Sequence, residues 1–229
     1  MKTLPRLMLV TNRRIMQPSF EAALEAALRG GARWIQLREK ELEPQNLMEL
    51  ALQAQQLCTR YGAMLSINSR ADVARAAHAA GAHAVGVHLP ETGIAPYEAR
   101  LALQAGALVG QSVHSVRAAE RATREGADYL VFGSVFPTAS HPGGAAQELE
   151  ALREVTAATK LPVYAIGGID ASRIKPCRKA GAYGVAVLGA AWQGAAGQDG
   201  AGRDGAGQAG DVSDRISVLV QAVEATAPV

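Results

Sequence analysis

The chain has 229 residues, 48% of them hydrophobic, enough for one large domain with a substantial core. Its 23 basic and 21 acidic residues leave a net charge of +2 with no Lys/Arg-rich run, which excludes the electrostatic footprint of a nucleic-acid or anionic-membrane binder. Cys58 and Cys177 have neither metal-ligand spacing nor a disulfide framework, as fits a reducing cytoplasm, and the opening ten residues, broken by Pro5 and Arg6, are too short for a signal peptide or a spanning helix.

Short apolar runs alternate with amphipathic segments along the chain. Strands are predicted at Leu7–Thr11, Trp34–Arg38, Ala63–Asn68, Ala84–Leu89, Leu108–Ser112, Tyr129–Gly133, Val163–Gly167 and Gly184–Gly189. Helices are predicted between and after them at Ser19–Arg29, Pro44–Tyr61, Arg70–Ala80, Pro96–Gln104, Val116–Glu125, Gln147–Thr159, Ala171–Ala180 and Val212–Ala225. Strand-helix alternation demands parallel pairing with right-handed crossovers, and eight rounds close a single-domain α/β structure, a (β/α)8 TIM barrel. A doubly wound open sheet explains the same alternation, but it would place a glycine-rich phosphate loop after the first strand. Here the glycine-terminated strands are the seventh and eighth, Pro162–Ile169 and Tyr183–Ala190. Glycine lets backbone amides approach an anion closely, so paired loops at neighbouring strand ends predict a phosphate clamp. The alternative is that these glycines only shape tight turns.

Residues 193–211 break the pattern. They are rich in glycine and alanine and carry almost no larger apolar side chain, so a flexible insertion is expected, either a lid over a ligand or an idle loop. Pairing of two copies through the second and eighth helices would make a homo-oligomer.

In this architecture the polar residues that finish each strand line the mouth of the barrel. They are Gln36, Arg38 and Lys40; Asn68 and Ser69; His88; Ser112, His114 and Ser115; and Thr138, Ser140 and His141. Two cations from one strand end, Arg38 and Lys40, point to an anionic ligand. The alternative is an interior partner for Arg38 and plain solvation for Lys40. His114 is the candidate for proton transfer, because an imidazole can take and return a proton near neutrality, with Ser112 and Ser115 placed to fix its tautomer. It could instead cap the fifth helix. His78 and His83 read as structural, and His88 as either core packing or ligand contact.

Gln36–Lys40, Ile67–Asn68 with Arg70 and Asp72–Ala74, Gly86–Leu89, Gly110 with Ser112–Ser115, Asp128–Thr138 and Tyr164–Ile169 together resemble the thiamine phosphate synthase superfamily, in the correct order and over nearly the whole chain except the insertion. The resemblance implies a small-molecule thiazole phosphate substrate. It implies that the amides of Gly167, Gly168, Gly189 and Ala190 bind the phosphate, and that Arg38, Asn68 and Ser112 surround the thiazole. Synthases of this kind couple a pyrimidine methyl pyrophosphate to the thiazole phosphate with magnesium held by two aspartates, aided by a lysine. At those places this chain has Ser69, Gly93 and His141, while Glu91 is displaced in register. It is more similar to the thiazole tautomerase branch, through the Leu89–Pro90 turn and the valine before His114. That branch needs no metal or other cofactor and uses a single base, a role the resemblance assigns to His114. Magnesium would be the cofactor under the synthase reading, and a non-catalytic phosphate-binding homologue is a third reading.

Overall fold

The computed structural model describes residues 3–81, 85–138, 148–193 and 209–225. Eight strands run β1 (Leu7–Val10), β2 (Trp34–Leu37), β3 (Met64–Asn68), β4 (Val85–Leu89), β5 (Val109–Val113), β6 (Tyr129–Phe132), β7 (Val163–Ile166) and β8 (Gly184–Val187). Each pairs in parallel with the next, and β1 with β8 through Met8↔Ala186, closing the barrel. The helices are α1 (Phe20–Arg29), α2 (Pro44–Arg60), α3 (Ala71–Ala79), α4 (Pro96–Ala102), α5 (Val116–Arg124), α6 (Glu148–Ala157), α7 (Ala171–Lys179), α8 (Gly189–Trp192) and α9 (Ala209–Glu224).

Two apolar layers follow from the period of the strands, whose successive side chains point to opposite faces. Outward residues such as Leu9, Ile35, Leu65, Val87 and Phe132 pack on the helices, whereas Met8, Val10, Trp34, Tyr129, Val131, Tyr164 and Ala186 fill the barrel interior. Three aromatic rings dominate that interior: Trp34 meets Tyr129 and Tyr164 edge-to-face, with centroids 4.7 and 5.3 Å apart. Such contacts stabilise by about 0.5–1.5 kcal/mol beyond burial. Room for the rings comes from small residues on neighbouring strands. A Cβ at Gly110 would stand 2.0 Å from the Tyr129 ring, and one at Gly184 would stand 2.7 Å from Tyr164. The Trp34 indole N–H is satisfied by Ser66 Oγ at 2.6 Å, so this crowded layer leaves no indole donor unpaired.

Helix starts carry the expected oxygens. Ser19, Ser115 and Asp170 accept first-turn N–H groups of α1, α5 and α7, and Pro44 begins α2. The last helix departs from the sequence reading by starting at Ala209, inside the stretch assigned to the flexible insertion. Periodicity registers a helix only from its first large apolar residue, here Val212, and the buried stripe Val212, Ile216, Leu219 and Val223 lies downstream of the true start. The remainder of the predicted insertion from residue 194 to residue 208 lies outside the described residues, as do His83, Ser140 and His141. Among the described residues no helix is long and apolar enough to cross a membrane.

Candidate active site

The strand ends that carry polar residues converge on one mouth. Arg38 follows β2 and is half-buried; among the described residues no ion pair or side-chain hydrogen bond takes up its guanidinium. Burial lowers its pKa, with Glu39 opposing the shift. Exposed Lys40 is lowered too, first by the charge of Arg38 and then by partial desolvation. Arg38 thus disfavours the protonated form of Lys40, as a like charge does, and an anion placed between them would relieve that repulsion.

Glu39 holds this strand end in place. It is 4% exposed, accepts the Thr11 hydroxyl at 2.6 Å and takes the Arg13 N–H on both oxygens at 3.0 Å. Thr11 Oγ1 in turn accepts the Arg38 N–H at 3.0 Å, so the end of β1 fixes the backbone from which Arg38 projects. Burial pushes the Glu39 carboxyl above its usual range despite these bonds. Sequence reasoning missed Glu39 because an acidic residue between two cations reads as solvated charge.

Next to Arg38, Gln36 Nε2 donates to Asn68 Oδ1 and Asn68 Nδ2 donates to Ser69 Oγ, each at 2.9 Å. Ser69 has φ +63°, a left-handed conformation that a non-glycine residue adopts at a cost of about 1–3 kcal/mol. In the loop after the neighbouring strand β4, Gly93 lies against Pro90: a Cβ there would stand 2.9 Å from Pro90 Cγ and 3.0 Å from Cδ. Glu91 is committed elsewhere, accepting the His114 N–H at 2.7 Å and lying 4.0 Å from Arg121. Among the described residues no group of three His, Cys, Asp or Glu side chains could hold a metal ion. Magnesium is held through hard, anionic oxygens, and the hydroxyl of Ser69 and the bare backbone of Gly93 do not fit it.

His114 follows β5. Its Nδ1 lies 2.5 Å from the carbonyl oxygen of Gly133 just after β6; a carbonyl only accepts, so Nδ1 carries a proton, and in the neutral form of the ring the lone pair sits on Nε2. The structure therefore corrects the expected partners. The Gly133 carbonyl fixes the tautomer, Ser115 caps α5 by accepting the Ala118 N–H, and Ser112 bonds His88. Ser115, not His114, is the helix cap. A backbone carbonyl donated by a neighbouring strand leaves no trace in local sequence.

The glycine loops meet on the rim of the adjacent strands β7 and β8, paired through Ile166↔Ala186. Gly167 and Gly168 have φ +103° and +59°, and among the described residues no acceptor holds either N–H. A Cβ at Gly167 would stand 2.6 Å from Ser134, and one at Gly168 would stand 2.4 Å from the Pro137 carbonyl. The glycines are thus required by close approach of the loop after β6, as well as by any ligand. Arg173 donates to the Gly168 carbonyl and packs over Phe136, fixing the orientation of that peptide. Gly189 and Ala190 begin α8, which Trp192 ties to the end of β1 by donating to the Val10 carbonyl at 2.7 Å.

A closed parallel barrel with cations, a histidine and bare amides after the C-terminal ends of its strands has the arrangement in which (β/α)8 enzymes carry their active sites. The family model for thiamine monophosphate synthase matches residues 7–191, and the chain belongs to that family. A thiamine-phosphate synthase of Methanoculleus marisnigri is 44% identical over 170 residues, 74% of this chain and 77% of that protein. One from Pyrococcus horikoshii is 36% identical over 185 residues, 81% of this chain and 86% of its own length. The solved thiamine phosphate pyrophosphorylase of Pyrococcus furiosus superposes with a TM-score of 0.80 at 31% identity, covering 96% of both chains. The names of these relatives are those of synthases, and none supports the tautomerase branch specifically.

Proposed function

We propose that this protein binds a thiazole phosphate and acts on it as a tautomerase, converting the ylidene tautomer of carboxythiazole phosphate into the aromatic ring. The observation that carries this reading is the pairing of a tautomer-fixed His114 with a mouth whose two magnesium positions are a serine and a glycine. A Cβ at position 93 would stand 2.9 Å from Pro90 Cγ, so a side chain there would need the proline ring to shift.

In the proposed step Nε2 of His114 takes the proton from ring carbon C2. The C2–H electron pair moves into the ring, the exocyclic double bond shifts, and the same proton is delivered to the exocyclic carbon. Atoms and charge balance without a co-reactant, and aromatisation supplies the driving force. The chain contributes positioning and the proton shuttle. Gly167, Gly168, Gly189 and Ala190 hold the phosphate through their amides, Arg38 and Lys40 neutralise ligand charge, and Asn68 and Ser112 flank the heterocycle.

The second reading is a thiamine-phosphate synthase, favoured by the names and 36–44% identity of the relatives, which back it better than they back the tautomerase. A single preparation of the protein decides between them. His114→Ala and His114→Asn are expected to lower metal-free isomerisation by about 10²-fold or more, the usual range for losing a general base. Unchanged turnover in either variant rejects His114 as the shuttle, and magnesium-dependent thiamine phosphate formation establishes the synthase instead.

A further inference from the structure

His88 is buried, 2% exposed, and stacked on Tyr129 with centroids 5.6 Å apart. Its Nε2 lies 2.9 Å from Ser112 Oγ, and its Nδ1 is buried with no hydrogen-bond partner. Burial, reinforced by the Arg38 charge, holds the ring neutral, with its pKa lowered to about 3. A neutral imidazole has two tautomers. Protonation at Nδ1 would leave a buried N–H with no acceptor, whereas protonation at Nε2 leaves only a lone pair there; orphaned buried N–H groups are the rarer outcome. The Nε2–H tautomer therefore donates to Ser112 Oγ.

That donation has a directional consequence. With a lone pair of Oγ occupied by His88, the Ser112 hydroxyl proton is turned away from His88. Ser112 is half-buried near the end of β5, and His114 follows that strand. We infer that His88 is a positioning residue that sets Ser112 as a hydrogen-bond donor toward an anionic or lone-pair acceptor on the heterocycle of the bound phosphate ester. The inference rests on the thiazole phosphate reading and holds whichever reaction follows.

The test uses thiazole phosphate and inorganic phosphate as separate probes, titrated by NMR or calorimetry. Ser112→Ala and His88→Phe, which keeps the ring on Tyr129, are each expected to raise the Kd for thiazole phosphate about tenfold, the loss of one hydrogen bond to ligand. The double variant should also lose about tenfold, because both changes remove the same hydroxyl contact. His88→Gln, whose amide can replace the Nε2 donor, should stay within about threefold of the parent. Inorganic phosphate, held by the glycine loops, should bind all variants alike. Nitrogen-15 shifts of His88 in the unaltered protein should show Nε2 protonated and Nδ1 bare between pH 6 and 8. A protonated Nδ1, losses that multiply to about a hundredfold, unchanged thiazole phosphate binding in His88→Phe, or a parallel loss of inorganic phosphate each overturns the inference. If the parent protein binds no thiazole phosphate, the substrate reading falls with it.

Discussion

At the scale of single residues, several polar side chains at the mouth are committed to a neighbour. Glu39 serves Thr11 and Arg13, Asn68 serves Gln36 and Ser69, and Glu91 serves the backbone of His114. In the proposed reading Arg38 and Lys40 offer their charge to the ligand. Arg38→Ala is expected to weaken thiazole phosphate binding by about tenfold or more, as loss of a charge-assisted contact does, whereas exposed Lys40→Ala should cost less and vanish as salt is raised. Calorimetry at two ionic strengths checks both, and a larger, salt-insensitive loss at Lys40 would reverse the assignment. Arg38, Lys40, His114 and the glycine loops stand out in the sequence because residue type and place at a strand end point to chemistry, and the structure places each just after a strand. What His114 and Ser112 bond was not legible, since the partners, the Gly133 carbonyl and His88, come from other strands. Glu39 was hidden for the same reason: its hydrogen-bond partners, Thr11 and Arg13, lie 28 and 26 residues away.

Among elements, the strands give the site its rigidity, and their interior layer is set by where glycine permits an aromatic ring. Gly110→Ala puts a methyl 2.0 Å from the Tyr129 ring, which has Trp34 and Tyr164 around it and cannot retreat. Overpacking of that kind costs typically 1–3 kcal/mol or more, so a drop in the urea midpoint is expected, with Gly62→Ala as a control that meets no atom within 4 Å yet carries its own φ penalty. Equal losses at the two positions would show that the ring contact is unimportant. The order of the eight strands and of the helices was readable from apolar periodicity except for the short α8, Gly189–Trp192, which was not predicted. The start of α9 was not, because Ala209, Gly210 and Asp211 precede the apolar stripe that periodicity detects.

For the whole molecule, two buried titratable groups give stability opposite dependences on pH. His88 is held down to about 3 against an ordinary 6.5, so the unfolded chain takes up a proton before the fold does. Its contribution is present above pH 6.5 and lost as pH falls toward 3, at about 1.4 kcal/mol per unit, or roughly 2 kcal/mol between pH 6.5 and 5. Glu39 runs the other way: its raised pKa makes the folded state the better proton binder, so its contribution is present on the acid side and lost as pH rises through the folded value. Urea unfolding at pH 7 and pH 5 separates them. The parent should lose stability toward pH 5 and His88→Gln should lose less; an equal loss in both would place the acid sensitivity elsewhere.

The proposed reading joins bare amides at the ends of β7 and β8 to His114 after β5, with a serine at position 69 and a glycine at position 93. The most direct measurement is therefore the fate of the ylidene tautomer of carboxythiazole phosphate with one enzyme preparation in excess chelator, set beside a synthase assay with magnesium and both substrates. The account predicts full isomerisation in chelator and no thiamine phosphate with magnesium. Thiamine phosphate formed only with magnesium, while the tautomer stays unconverted, would contradict it.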